Sequence, residues 1–113
     1  MTREELLSAT EPLYTVVVTC YNQEEFIVEC LESVKDQDYA QVELIVCDYK
    51  SSDNTVIIAE RWLNDNKDSF VRSELLVNAE NLGISGNHNA GLSKATGKYI
   101  SFIHGDDKLY NHT

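Results

Sequence analysis

Basic residues are scarce in this chain. Nine Lys and Arg stand against 19 Asp and Glu in 113 residues, a formal charge of −10. That balance argues against nucleic acid as a partner, because such binders cluster Lys and Arg on one face. It also means that an anionic ligand lying near the acids would need a cation between them. Cysteine is sparse and odd in number: Cys20, Cys30 and Cys47, with no pair at metal-ligand spacing. Buried free thiols in a reducing compartment are expected, not a disulfide framework or a nucleophile. No apolar run approaches the ~20 residues of a membrane-spanning helix. The start, Met1-Thr2-Arg3-Glu4-Glu5, lacks the basic-then-apolar layout of a signal peptide. The default expectation is therefore a cytoplasmic protein, or one peripheral to the inner membrane face. Repeats, low-complexity tracts and linkers are absent too, so one domain is expected over residues 13–113, with a short arm at 1–12.

What is present alternates regularly. Leu13 to Thr19 is β-rich around Val16, Val17 and Val18, a strand apolar on both faces. Asn22 with Glu25 fits a capping box, and Phe26, Ile27, Cys30, Leu31 and Val34 recur at helical spacing to about Lys35. Val42 to Cys47 repeats the buried-strand pattern and closes on Asp48. Ser51-Ser52-Asp53-Asn54-Thr55 reads as a turn and helix start. The helix carries Val56, Ile57, Ala59, Trp62 and Leu63 up to a polar break at Asn64–Asp68. Phe70 to Val77 is a third strand whose Arg72, Ser73 and Glu74 suit a sheet edge. A helix is expected from about Ser85 to Ala95, ended by Gly97 as a left-handed cap. Tyr99 to Ile103 then reads as a buried strand running into His104-Gly105-Asp106-Asp107. Three strand–helix pairs and a final strand give an α/β fold. It is a Rossmann-like parallel sheet of about four strands with helices on both faces.

In a parallel sheet all strands end on one edge. Thr19-Cys20-Tyr21-Asn22, Asp48 and His104-Gly105-Asp106-Asp107 therefore converge there. The start of the Gly83–Gly91 helix, whose exposed N–H groups suit a phosphate, joins them. Each piece has a bland alternative. Asp48 could cap a turn, Tyr21 could pack at the sheet edge, and His88 could be a structural hydrogen-bonder. The Gly83 loop could serve close packing, and Asp106-Asp107 could be an acidic turn. The convergence of four segments is the argument for a nucleotide-phosphate site.

Six segments in register resemble family 2 glycosyltransferases. They are Val16-Val17-Val18-Thr19-Cys20-Tyr21-Asn22-Gln23-Glu24-Glu25, Cys30-Leu31-Glu32-Ser33-Val34, Glu43-Leu44-Ile45-Val46-Cys47-Asp48 and Ser51-Ser52-Asp53-Asn54-Thr55. Asn81-Leu82-Gly83-Ile84-Ser85 with Asn89-Ala90-Gly91, then Ala95-Thr96-Gly97-Lys98-Tyr99-Ile100, complete the series. The resemblance implies the N-terminal half of a GT-A fold. It implies transfer of a sugar from a UDP- or GDP-sugar to an acceptor hydroxyl, saccharide or lipid-linked, with inversion and with Mn²⁺ or Mg²⁺. Carried over by position, Thr19 and Tyr21 lie along the nucleobase, Asp48 binds base or ribose, and Asn22 belongs to the same nucleotide-sugar site. Gly83, Asn87 and His88 lie by the ribose and diphosphate. His104 and Gly105 adjoin the donor, and Asp106 with Asp107 holds the metal.

Four positions depart from the family pattern. His104 stands for the first acid of its Asp-x-Asp motif, Tyr49 for the second acid of its Asp-Asp pair, Lys50 for a Gly, and His88 for an Arg. The family's acceptor site and general-base carboxylate lie well beyond the metal motif. The resemblance therefore puts the catalytic base beyond Thr113, and residues 1–113 are expected to bind donor without completing transfer. Two other classes remain open: a non-enzymatic, self-associating assembly module, and a phospho-acceptor domain. The latter needs an acidic pair after the first strand, which Thr19-Cys20-Tyr21-Asn22 does not offer.

Overall fold

The computed structural model describes residues 13–37, 41–78 and 93–106. Their order is β1 (Tyr14–Cys20), α1 (Ile27–Lys35), β2 (Val42–Asp48), α2 (Thr55–Asn66), a 3₁₀ turn (Lys67–Ser69), β3 (Arg72–Val77) and β4 (Tyr99–His104). The four strands form one parallel sheet in the order β3-β2-β1-β4. The chain steps outward from β1 to β3, then returns across the sheet to β4. Beside β1 the direction of winding reverses, and at such a switch point parallel sheets leave a crevice outside the strand ends.

Alternation along β1 and β2 sends side chains to two apolar layers. Val16, Val18, Cys20, Leu44 and Val46 pack under α1 and α2, against Ile27, Cys30, Leu31, Val34, Ala59, Trp62 and Leu63. Val17, Ile45 and Cys47 face the other way, with Leu76 and Ala95 against them. Right-handed crossovers account for both assignments. Outward travel puts α1 and α2 on one face, and the return to β4 brings Ala95 to the other. Burying both faces of two strands removes the most apolar part of the chain from water, at about 25 cal/mol per Å². Trp62 contributes a polar tie as well, donating from Nε1 to Glu32 Oε1 at 2.8 Å and so joining α2 to α1.

Several local expectations change. Helix α1 begins at Ile27, and Asn22 does not cap it: no side chain bonds its N-terminus. Residues 23–26 form a separate turn instead, with Phe26 and Ile27 N–H both donating to the Gln23 carbonyl. Helix α2 continues through the polar break to Asn66, whose Nδ2 donates back to the Trp62 carbonyl. Phe70 is not in a strand; it sits in the core against Trp62, ring centroids 5.9 Å apart. Strand β3 holds the expected edge position. Strand β4 is not buried: Tyr99, Ile100 and Phe102 are 47%, 37% and 40% exposed, and only Ile103 is enclosed. As an edge strand it has one strand neighbour among the described residues, β1. Of the expected helix at 85–95 only residues 93–95 lie within the described residues, with Ser93 and Lys94 helical and Ala95 not, and the arm at 1–12 lies outside them.

The amino-terminal edge of the sheet is held by a buried acid. Glu43, 1% exposed, accepts from Thr15 Oγ1 at 2.9 Å, and from Thr96 N–H and Thr96 Oγ1 at 2.8 Å each. Arg72 Nε pairs with it at 3.0 Å, and Arg72 Nη2 donates onward to the Lys94 carbonyl. Gly97 N–H donates to Thr15 Oγ1 at 2.9 Å. Gly97 is not left-handed, so it serves close approach, not a helix cap. A Cβ there would stand 2.8 Å from the Thr15 nitrogen and 2.9 Å from the Leu13 carbonyl. One carboxylate thus ties β1, β2 and β3 to the entry of β4.

Burial alone would raise the Glu43 pKa. The Thr96 and Thr15 hydrogen bonds and the Arg72 charge outweigh it and hold the carboxyl below its ordinary range. Its folded pKa is therefore below its unfolded one. The stabilisation is fully present above the ordinary Glu value and is lost as pH falls through the folded value. Glu43→Gln should lower stability by on the order of 3 kcal/mol at neutral pH. Urea titrations of both proteins should give a constant gap above about pH 5 that narrows with further acidification. An equal gap at every pH would mean that the charge of Glu43 contributes nothing.

Candidate functional site at the carboxyl edge

Strands β1, β2 and β4 end level with one another. Thr19 is in register with Cys47 and His104, and Cys20 with Asp48. Backbone bonds extend the pairing past the strands. Tyr49 N–H donates to the Cys20 carbonyl at 2.9 Å, and Gly105 N–H to the Thr19 carbonyl at 2.8 Å. Gly105 is needed for that approach. A Cβ on it would lie 2.9 Å from Cys20 Cβ and against Gln23 Oε1.

The segment after β2 is a turn built on carboxylates. Asp48 is fully buried. Its Oδ2 accepts from Ser51 N–H at 2.8 Å and its Oδ1 from Ser51 Oγ at 2.5 Å. The Cys20 thiol leans on the same Oδ1. Asp48 therefore organises its loop here and does not present an open carboxylate. Burial, then the Asp48 charge, push the Cys20 thiol far above its ordinary pKa; burial and Glu74 raise Cys47 to about 11. All three cysteines are buried and free, as expected of inert thiols.

Asn22 clamps this turn to the end of β1. It takes a left-handed conformation, φ 50°, and its Oδ1 accepts from Ser52 N–H at 2.8 Å and Asp53 N–H at 3.3 Å. Its own N–H donates to Ser51 Oγ. Asp53 repeats the device, accepting from Thr55 N–H and Oγ1 and from Glu24 N–H. Desolvation opposes ionisation of Asp53, but these donors prevail and hold its carboxyl below the ordinary range. Tyr21, at 47% exposure, stands out from the same edge. A groove of about 280 Å³ is lined by Asn22, Glu24, Glu25, Phe26 and Asp53.

At β4 the arrangement is different. Thr19 is buried and turned toward that strand, its hydroxyl 3.0 Å from His104 Nδ1 and 3.4 Å from the Ile103 carbonyl. If the hydroxyl proton goes to the carbonyl, Nδ1 carries the imidazole proton and the ring lone pair lies on Nε2. The Cys30 thiol donates to the His104 carbonyl and so pins β4 to α1. Asp106 is exposed one residue beyond Gly105. Among the described residues no three His, Cys, Asp or Glu side chains form a metal cluster. The donors offered by this corner are the Asp106 carboxylate and the His104 imidazole. The structure thus brings Thr19, Tyr21, Asn22, Asp48, His104, Gly105 and Asp106 to one edge, while Gly83, Asn87, His88 and Asp107 lie outside the described residues. Thr113 lies outside them too, and the catalytic base expected beyond it is assigned to none of the described residues. Sequence reasoning missed Ser51 as the partner of Asp48. The Ser-Ser-Asp-Asn-Thr turn was its only signal.

Lys50 sits in the same turn at φ 66°, exposed, in the left-handed region that disfavours a side chain. The conformation costs a non-glycine residue about 1–2 kcal/mol, partly offset by the unfolded-state entropy of glycine. Lys50→Gly should stabilise the fold by up to about 1 kcal/mol, raising the urea midpoint with an unchanged slope. A lowered midpoint would mean that the Lys50 side chain carries a stabilising contact.

Comparison with known proteins agrees with this geometry. The model of Glycosyl transferase family 2 matches residues 15–112. A GalNAc(5)-diNAcBac-PP-undecaprenol β-1,3-glucosyltransferase of Campylobacter jejuni is 32% identical over 87% of this chain and 31% of its own. The Escherichia coli UDP-Glc:α-D-GlcNAc-diphosphoundecaprenol β-1,3-glucosyltransferase WfgD is 38% identical over 84% of this chain and 35% of its own. Among solved structures, the Pyrobaculum calidifontis mannosyltransferase PcManGT, in complex with GDP-Man and Mn²⁺, superposes with a TM-score of 0.79. It is 31% identical and matches 85% of this chain and 28% of its own. S. aureus TarS 1-349 in complex with UDP gives 0.71 at 28% identity, over 82% of this chain and 27% of that one. The chain thus spans about a third or less of the length of these relatives. With its parallel sheet in the order β3-β2-β1-β4 and its loops gathered at the carboxyl edge, the chain belongs to glycosyl transferase family 2.

Proposed function

We propose that this chain is the donor-binding part of a glycosyltransferase. It holds a nucleoside diphosphate sugar whose sugar passes, with inversion, to an acceptor hydroxyl. The observation that carries the reading is the level ending of β1, β2 and β4, with polar loops at one side and Asp106 at the other. The diphosphate would lie toward β4, where Asp106 and His104 would hold a divalent cation. A carboxylate oxygen and an imidazole nitrogen suit Mn²⁺ better than Mg²⁺, which prefers oxygen alone. When bound, such a cation neutralises the charge that grows on the departing nucleoside diphosphate. Thr19 would keep the His104 ring oriented. Asn22 and Asp53 would hold the two loops as one preformed surface, lowering the ordering cost of binding. Tyr21 is exposed beside them and offers a face for stacking. We place the work in the cytoplasm, a reading with which three buried cysteines outside any disulfide are compatible.

A second reading is a self-associating assembly module. The exposed Tyr99, Ile100 and Phe102 of edge strand β4 favour it. Calorimetry with UDP- and GDP-sugars, with and without Mn²⁺, separates the two. Donor binding should require the cation and fall at least tenfold in Asp106→Ala. No binding at millimolar ligand, together with dimers in sedimentation, would favour the assembly module instead.

A further inference from the structure

Strand β4 leads to the Asp106 corner, yet little of it is packed. It is an edge strand, with Tyr99, Ile100 and Phe102 exposed and only Ile103 enclosed. At its functional end the Gly105 N–H donates to the Thr19 carbonyl. The hydrogen bonds of a parallel ladder run from strand to strand within the sheet. They set the spacing of neighbours but resist poorly a tilt of an edge strand out of the sheet.

Two side chains oppose that tilt, one from each face. Thr19 shares the face of Val17, because strand side chains alternate, and its hydroxyl meets the Ile103 carbonyl and the His104 ring. Cys30 comes from α1 on the other face, fully buried, and its thiol donates to the His104 carbonyl at 3.4 Å. One residue on, a Cβ at Gly105 would meet Cys20 Cβ at 2.9 Å and Ile27 Cδ1 at 3.2 Å, so the backbone there rests on the α1 layer. Asp106 follows, at most about 7 Å of chain beyond His104. Over that reach a tilt of about 10° displaces it by about 1 Å, several times the ~0.2 Å within which metal–ligand distances hold.

A thiol suits this place. It packs as a small apolar group and still offers one weak donor. Alanine or valine would fill the layer, but neither could reach out to the peptide that leads into the corner.

We propose that Cys30 is a positioning residue for the cation corner. Its thiol fixes the tilt of the His104–Gly105 peptide, and so where the Asp106 carboxylate and the His104 imidazole stand. The assignment rests on the donor-binding reading above. Cys30 touches neither donor nor cation; it acts through the β4 backbone.

Cys30→Ala and Cys30→Ser form a matched pair, similar in volume and differing in the hydroxyl donor. Both lose packing and should melt at similar, lowered temperatures, so binding is compared below both transitions. With Mn²⁺ present, Cys30→Ala should bind UDP or GDP roughly three- to tenfold more weakly than wild type, and Cys30→Ser should recover most of that loss. Cys30→Val and Cys30→Thr repeat the comparison at larger volume and should give the same order. The Gly105 amide nitrogen shares its peptide with the His104 carbonyl. In the metal-free protein its resonance should move in Cys30→Ala and return toward the wild-type position in Cys30→Ser. Equal weakening in Ala and Ser variants, or weaker binding by the Ser variant, would show that Cys30 only fills space and would overturn the assignment. Wild-type affinity in both would also overturn it and leave donor binding standing. Failure of the wild type to bind either nucleotide would sink both.

Discussion

The carboxyl edge is positioned by a charged contact at the opposite end of the sheet. Glu43 gathers donors from Thr15, Thr96 and Arg72, and Thr15 in turn holds Gly97. These partners come from β1, β3 and the segment that leads into β4. In a parallel sheet a slip of one residue sends every side chain to the wrong face. A carboxylate that can be satisfied in one register only opposes such a slip. Its burial is expensive unless each donor is in place, so the same residue that stabilises the native pairing penalises the alternatives.

At the functional edge the physical problem is reversed. Strand ends must be level and fixed, yet the loops beyond them must leave polar groups for a ligand. The chain solves this with short polar side chains that take the place of secondary structure. Asp48 ties down Ser51, Asn22 ties down Ser52 and Asp53, and Asp53 ties down Thr55 and Glu24. Two non-glycine residues, Asn22 and Lys50, accept left-handed backbone to make these turns. Strain held by surrounding contacts is common where a binding surface must be shaped in advance.

Much of this is legible in the sequence because periodicity reports burial. The Val16–Val18 and Leu44–Val46 runs read as strands buried on both faces, and they are the two central strands. Arg72 and Glu74 place β3 at an edge. The failures have physical causes. Asn22 has the composition of a helix cap, but a tertiary partner, the Ser52–Asp53 turn, takes its side chain. Tyr99, Ile100 and Phe102 read as core because apolarity says nothing of strand order, and β4 lies at an edge. Glu43 reads only as part of a motif. A buried charge looks like a surface charge until its partners, 28 to 53 residues away along the chain, are known.

The central claim is that the ends of β1, β2 and β4 form one nucleotide site with its cation at β4. Amide NMR of the chain under titration with UDP and Mn²⁺ tests it most directly. Paramagnetic broadening should begin at Gly105 and Asp106 and spread to Thr19 and Tyr21. Nucleotide-induced shifts should reach Tyr49 to Asp53, while amides around Glu43, at the far end of the sheet, stay still. Broadening that starts elsewhere, or shifts centred on the Glu43 end, would contradict the account.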